Sequence, residues 1–381
     1  VFGVLALSKR DRGERGVGWS ALLVSCDADG PGKGISMNVL VTGGAGYIGS
    51  HAVQRLLRDG HTVLAMDSLI RGHEKAIDRL RPTSGAAGGR LIFAKLDVNE
   101  RSGVERMLRE HKIETVMHFA ALAAVGESVE QPLLYYRNNT CGMVSLLEAC
   151  LATGVERFVF SSSCATYGVP PEEMVPIPEN CPQAPISPYG ETKLQGERLL
   201  RDVAESCRRS KRPFSYAALR YFNVAGADRT GVLGEDHDPE SHIIPVVLQA
   251  ALGRRDGVSV FGTDYPTPDG TCVRDYVHVE DLVDAHVKVM GMLEPGEERH
   301  YNLGIGKGYS VKEIIQAVRA VTKSDFAVRE QARRPGDPPR LFADASKIQR
   351  ELGWSAKITD LHTIIESAWK WFRQNPKGYG E

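Results

Sequence analysis

From residue 37 onward, short and almost wholly apolar runs alternate with longer stretches whose apolar positions recur every three or four residues. The short runs are Asn38–Val41, Thr62–Met66, Leu91–Ala94, Thr115–Phe119, Phe158–Ser161 and Ser215–Leu219. Their length, β-branched content and lack of polar alternation predict strands covered on both faces. Between them, Arg101–His111, Leu133–Thr153 and Gly190–Arg209 carry a helical period. Regular β–α alternation predicts an α/β fold: a parallel, doubly wound sheet with helices on both faces and ligands at the carboxyl ends of its strands.

The end of the first strand is the most marked of these positions. Gly43, Gly46 and Gly49 follow it at three-residue spacing, and Ala52, Val53, Leu56 and Leu57 then fall at helical spacing up to Gly60. A tight strand-to-helix turn needs glycine, a pyrophosphate needs backbone N–H groups with no Cβ in the way, and the helix N-terminus favours negative charge. The second strand ends in Asp67, about 20 residues after the turn, where a carboxylate accepts hydrogen bonds from an adenosine ribose. Strand, turn, helix, strand and acid in this order predict a Rossmann sheet holding a dinucleotide. Asp67 would repel a 2′-phosphate and so favours NAD; Arg71 is a nearby group able to accommodate one. Three further strand ends are candidates for contact with the cofactor: Asp97 with the Val98 backbone at the adenine, the small residues of Phe119-Ala120-Ala121, and Ser161-Ser162-Ser163. Close packing explains the small residues equally well.

After Arg220 the regularity breaks. Tyr221–Gly226, Gly231–Asp238 and Val258–Gly270 are rich in Gly, Pro and Asp. They read as a smaller α/β lobe. The expected division is an NAD-binding domain over 37–220 with a return segment at about 273–295, and a substrate-binding lobe over 221–272 and 296–381. Residues 1–36 mix charges with a glycine-rich linker and match nothing that follows, so a disordered extension outside the fold is expected, with Met37 as a possible true start.

Bulk composition narrows the classes. Of 381 residues, 42% are hydrophobic and 25% charged, with a net charge of −1. That is ordinary for a globular protein, and it gives no electrostatic case for nucleic acid or a membrane surface. The seven cysteines are scattered without a C-x-x-C pair. This pattern predicts neither a zinc site nor a disulfide framework; no metal is expected, and a reducing, cytoplasmic setting is.

Tyr189-Gly190-Glu191-Thr192-Lys193 supplies candidate chemistry. Pro188 pre-sets a helix start, which places Tyr189 and Lys193 on one face as i and i+4. Tyrosine is a poor base at neutral pH, and a fixed ammonium nearby favours its phenolate. Ser163, at the end of the fifth strand, is placed to share a substrate hydroxyl with Tyr189 while a nicotinamide takes hydride. A surface Tyr and Lys would give the same motif; its place downstream of a dinucleotide turn favours catalysis.

Thr42–His51, Asp67, His118–Ser128, Ser161–Gly168, Tyr189–Lys193 and Arg220–Gly226 together resemble the extended short-chain dehydrogenase/reductases, and within them the sugar-nucleotide 4-epimerases. The likeness continues through Gly262–Tyr265, Asp269–Tyr276, Tyr301–Gly304 and Arg333–Asp337 to Gly378-Tyr379. The resemblance implies an NAD-dependent isomerase that interconverts UDP-galactose and UDP-glucose through a 4-keto sugar. By the same resemblance Tyr189 is the base, Lys193 tunes it and binds the nicotinamide ribose, and Ser163 positions the hydroxyl. Gly43, Gly46, Tyr47, Ile48, Gly49, Phe119, Ala120, Asn138 and Phe222 contact the cofactor; Asn223, Arg274 and Arg334 take the diphosphate; Asp337 takes the uridine ribose. An ion pair with Asp275 or Asp269 is the purely structural alternative for Arg274. A homodimer through Leu133–Thr153 and Gly190–Arg209 is also implied. Ala121-Leu122-Ala123 departs from the Gly-Leu-Lys of many epimerases and lacks that lysine. Cys164-Ala165-Thr166 and Thr271-Cys272-Val273 also resemble plant-type UDP-arabinose (UDP-xylose) 4-epimerases, so pentose use stays open. A 4,6-dehydratase would be expected to carry an Asp-Glu pair where this chain has Ser162-Ser163-Cys164. A non-catalytic NAD-binding regulator would not need Ser163, Tyr189 and Lys193 together.

Overall fold

The computed structural model describes residues 36–85, 88–334 and 337–380; the expected extension before residue 36 lies outside them. Six strands appear where the apolar runs predict them: β1 Asn38–Thr42, β2 Thr62–Asp67, β3 Arg90–Lys95, β4 Thr115–His118, β5 Arg157–Ser161 and β6 Ser215–Tyr221. All pair in parallel, in the order β3-β2-β1-β4-β5-β6. A seventh parallel strand, Glu298–Leu303, adds to the free edge of β6. The sequence reading assigns this stretch to the second lobe. Strand pattern alone does not say which sheet a run joins; its register on Tyr216–Tyr221 places it in the large one.

Alternation along β1 explains the three layers. Val39 and Val41 point into one core, with Val53, Leu56 and Leu57 of the helix Tyr47–Arg58 and Leu282 and Val283 of the helix Val279–Met292. Leu40 points into the other, with Val104, Leu108, Leu146 and Leu200. Both faces are dry, so the strand reads as a continuous apolar run.

The chain winds outward from β1 to β3, then restarts at β4 on the other side of β1. That reversal leaves a crevice at the carboxyl ends of β1 and β4. Thr42 and His118 close its floor, with the hydroxyl 2.7 Å from Nδ1. Burial, helped by the charge of Lys193, lowers the His118 pKa to about 3, so this histidine is a neutral strut.

Two helices border the crevice. One is Pro188–Arg209, started by Pro188 and by the Ser187 hydroxyl, which accepts from Gly190 N–H at 3.2 Å. The other runs from Pro132 to Thr153 and contains a π-turn at Tyr136–Cys141. Small sheets carry the remainder: Asn223–Ala225 beside Tyr276–His278, Val273–Arg274 between Tyr309–Ser310 and Arg340–Leu341, and Val258–Phe261 beside Val328–Gln331.

Candidate active site

A cavity of about 1160 Å³ opens at the switch point and runs to the small sheets. Every site residue predicted from the sequence lines it. At one end lies the glycine turn. Gly43 has φ +69°, and a Cβ there would sit 2.7 Å from Ala120 N. A Cβ on Gly49 would sit 2.0 Å from the Gly43 carbonyl oxygen. These two glycines let the helix and the β4 loop close on the turn. Gly46 starts the helix Tyr47–Arg58 with no side chain capping it, which leaves the first-turn N–H groups of Tyr47 and Ile48 for an anion.

Asp67, at the end of β2, is buried, which raises its pKa; its carboxylate accepts from Ala45 N–H at 3.0 Å and Leu69 N–H at 2.8 Å. Each oxygen keeps a lone pair for a ribose hydroxyl. Arg71, the residue able to accommodate a 2′-phosphate, donates to Glu127 and to the Asp238 carbonyl at 2.6 and 2.7 Å. The open turn, the uncapped helix and a buried carboxylate without a free arginine fit NAD. Asp97 and Val98 follow β3, with Asp97 Oδ1 accepting from Asn99 N–H at 2.8 Å. Phe119 and Ala120 follow β4, and Phe119 packs on His286 with ring centroids 4.9 Å apart. Asn138 sits in the π-turn and donates to Asn139 at 2.9 Å.

Midway along the cavity stand Ser163, Tyr189 and Lys193. Ser163 caps the turn Cys164–Tyr167, accepting from Ala165 N–H at 3.1 Å, and its hydroxyl is a hydrogen-bond neighbour of the Tyr189 phenol. Lys193 donates to the Ser161 carbonyl at 2.7 Å, and its Nζ lies 5.9 Å from the Tyr189 ring centroid. The sequence reading expects this ammonium to lower the Tyr189 pKa. The structure gives the opposite direction: burial, with Tyr221 adding to it, pushes the phenol well up. Burial also lowers Lys193 to about 7, against the charge of Glu197. Desolvation disfavours both charged forms and is the largest cause in each case.

At the far end, Arg274 pairs with Asp337 and donates to the Pro338 carbonyl at 2.8 Å. Neither Asp275 nor Asp269 is its partner. Asp275 is wholly buried and accepts from Ile305 and Ala343 N–H groups, while Asp269 holds Thr271 and Ser310. Asn223 donates to the Asp275 carbonyl at 3.1 Å, and Phe222 is buried beside it. The Arg334 guanidinium lies over the Phe261 ring at 4.0 Å.

Several lining residues escape the sequence reading. Phe261 is one; its place in an alternating strand gives no signal beyond core packing. Tyr379 is another. Its N–H donates to Asp236 at 2.7 Å and its hydroxyl to the Gly234 carbonyl at 3.2 Å, so the chain end returns to the cofactor side of the cavity. Asn139 does not line the cavity but ties its walls. It accepts from Leu122 N–H and donates to the Leu122 carbonyl and to Thr192, which clamps the β4 loop to the helix of Tyr189. A π-turn is invisible in a helical period, and such turns gather at functional sites.

A doubly wound sheet with this turn, and a Ser, Tyr and Lys at its carboxyl edge, defines a nicotinamide-dependent enzyme of the short-chain dehydrogenase/reductase class. The chain belongs to the NAD dependent epimerase/dehydratase family, which matches residues 39–304. It is 45% identical to a UDP-glucose 4-epimerase of Halalkalibacterium halodurans over 90% of this chain and 98% of the relative. It is 46% identical to a probable UDP-arabinose 4-epimerase of Oryza sativa over 90% of this chain and 81% of the relative. The crystal structure of a UDP-glucose 4-epimerase from Stenotrophomonas maltophila, with bound NAD and formylated UDP-arabinopyranose, superposes with a TM-score of 0.83 at 41% identity, covering 90% of this chain and 99% of that one.

Proposed function

We propose that this protein is a UDP-sugar 4-epimerase that interconverts UDP-glucose and UDP-galactose on tightly held NAD. The observation that carries this reading is the single cavity joining the glycine turn, the Ser163–Tyr189–Lys193 group and the Arg274–Asp337 end. NAD supplies a hydride acceptor for C4, a hydride donor to the opposite face, and a positive ring charge when bound. The protein's own residues manage the proton and the position. Tyr189 takes the proton of the sugar 4-hydroxyl and returns it after C4 has turned its other face; Ser163 shares that hydroxyl. Lys193 stabilises the phenolate and holds the nicotinamide ribose. Tyr47 and Ile48 N–H groups take the pyrophosphate, Asp67 the adenosine ribose, and Asp97 with Val98 the adenine. Phe119, Ala120, Asn138 and Phe222 wall the cofactor. Asn223, Arg274 and Arg334 take the substrate diphosphate and Asp337 its ribose, which requires the Arg274–Asp337 pair to open or to share its fork. We assign 37–220 with about 273–295 to the cofactor half and 221–272 with 296–381, apart from the strand Glu298–Leu303, to the substrate lobe.

A dehydratase reading is not supported. Glu197, the acid behind Ser162, is buried and bound by Arg220 at 2.6 and 2.9 Å, outside the cavity lining. A pentose reading has support in the plant relative at 46% identity and in the Cys164-Ala165-Thr166 wording. A homodimer is the assembly we propose: Leu133 is 76% exposed, and Val144 is exposed on the same helical segment. Among the described residues no helix is long and apolar enough to cross a membrane.

The test offers UDP-galactose and, separately, UDP-xylose to the purified protein with no NAD added. Conversion of UDP-galactose to UDP-glucose supports the proposal, and conversion of the pentose alone moves the assignment to UDP-arabinose. Inactivity toward both even with NAD supplied sinks it in favour of a non-catalytic regulator.

A further inference from the structure

The cavity wall also carries a group of residues that the reaction does not use. Glu-x-His occurs twice between positions 234 and 242, five residues apart, in a segment that is neither helix nor strand. The loop folds so that the two repeats meet. His242 Nδ1 lies 2.9 Å from Glu235 and 3.0 Å from Glu240; His237 Nδ1 lies 3.1 Å from Glu235 and 3.7 Å from Glu240. One donor atom from each of the four side chains falls within 4.8 Å of all the others. We propose that Glu235, His237, Glu240 and His242 form a binding site for a divalent transition metal, with zinc as the ion this donor set fits.

Geometry carries the proposal. Zinc bound tetrahedrally to N and O ligands at roughly 2.0–2.2 Å holds neighbouring ligand atoms about 3.3–3.5 Å apart. The separations to Glu235 Oε1 and Glu240 Oε1 are 2.9–3.1 Å and that from His237 to Glu240 Oε2 is 3.7 Å, all near that value, so the side chains spread slightly to admit an ion. Two separate His–Glu hydrogen bonds need only one carboxylate per imidazole; here each Nδ1 faces both. The chemistry agrees. Glu235 and Glu240 are buried, and two buried anions need two positive charges. One divalent ion between two neutral imidazoles supplies them. A set of two imidazoles and two carboxylates suits zinc rather than magnesium or calcium, which take six or more oxygens.

The ligands are also held from behind. Glu240 Oε1 accepts from the Ser241 and His242 N–H groups at 2.8 Å each. Trp371 donates to the Glu235 carbonyl and Arg255 to the Glu240 carbonyl, both at 3.0 Å. Such outer partners fix ligand orientation before the ion arrives. The site lies just before the helix Ile243–Ala251 and beside Tyr47, whose ring centroid is 6.2 Å from that of His237. An ion here would lock the 234–242 loop against the cofactor end of the cavity. Uptake must displace the imidazole protons, so affinity rises with pH.

The experiment uses the full chain without an affinity tag, stripped with chelator and titrated with zinc and with cobalt. Expected are one zinc per chain by elemental analysis after gel filtration, and with cobalt the strong visible bands of a four-coordinate ion, which zinc then erases. His242→Ala and Glu235→Gln are each expected to weaken zinc binding tenfold or more, while the control His362→Ala leaves it unchanged. His242→Ala keeps the test readable if Glu235→Gln fails to fold, because His242 is the most exposed of the four. No zinc retained by the parent protein, or equal affinity in His242→Ala, overturns the site and leaves the histidines as protonated partners of the two glutamates.

Discussion

The two ends of the cavity are built by different means. At the cofactor end, the ligand-facing groups are largely backbone, and one continuous stretch from Asn38 to Asp67 supplies the strand, the turn, the uncapped helix and the acid. At the end proposed for the substrate, the lining is made of side chains gathered from separate segments: Asn223, Phe261, Arg274, Arg334 and Asp337. A backbone site depends on the glycines that make room for it and tolerates little change. A site of side chains on small sheets can change one residue at a time. Under the proposed reading the cofactor end is the constrained one and the substrate end the variable one, and the relatives include a UDP-glucose 4-epimerase at 45% identity and a probable UDP-arabinose 4-epimerase at 46%.

The sharpest break is at the junction of the two ends. Tyr189→Phe removes the proton acceptor but keeps the ring packed against Tyr135. Turnover should fall by about 10²–10⁴-fold, with unchanged circular dichroism and bound NAD. Activity near that of the parent would remove Tyr189 from the mechanism.

Gly49→Ala attacks the cofactor end alone. The added methyl must displace the Gly43 carbonyl, at a cost of about 1–3 kcal/mol or more. Loss of co-purified NAD together with a lower Tm is expected; retention of both would show that the turn is not tightly packed.

Arg274→Ala attacks the other end alone. It removes charged hydrogen bonds worth about 1.5–3 kcal/mol, so KM for the UDP-sugar should rise roughly 10- to 100-fold with NAD content unchanged. A fall in kcat at constant KM would contradict a binding role.

The last effect is one of stability and leaves turnover aside. Lys193 has its folded pKa depressed to about 7, so between there and its unfolded value near 10.5 the unfolded state binds more protons, and this lysine's penalty eases as pH rises. Lys193→Met should therefore melt above the parent at pH 6, and the difference should shrink toward pH 10. Melting curves at both values check this, and a difference that grows with pH would refute it.

Much of this was legible in the sequence, for physical reasons that differ by element. Five of the six strands from Asn38 to Tyr221 declare themselves because buried strands are continuously apolar; the edge strand Arg90–Lys95, none of whose residues is fully buried, shows only its short apolar run Leu91–Ala94. The strand Glu298–Leu303 is legible as a strand but not as the last strand of the large sheet, since pairing to β6 is a long-range contact. The Tyr189–Lys193 spacing shows the pair on one helix face. The direction of the Tyr189 pKa does not follow from spacing, because it depends on how much water the surrounding chain removes.

The sequence by itself determined the alternating αβ order and the glycine turn with its acid, and it named Ser163, Tyr189 and Lys193 as the candidates for moving a proton. Each of these rests on local periodicity or on the order of motifs along the chain. Tertiary structure alone decided which distant side chains meet. It set Arg274 against Asp337, brought Tyr379 back to the cofactor side, let Asn139 clamp two walls together, and turned two short Glu-x-His repeats into one cluster. Those contacts depend on chain closure over tens to hundreds of residues, and no local pattern of polarity encodes it.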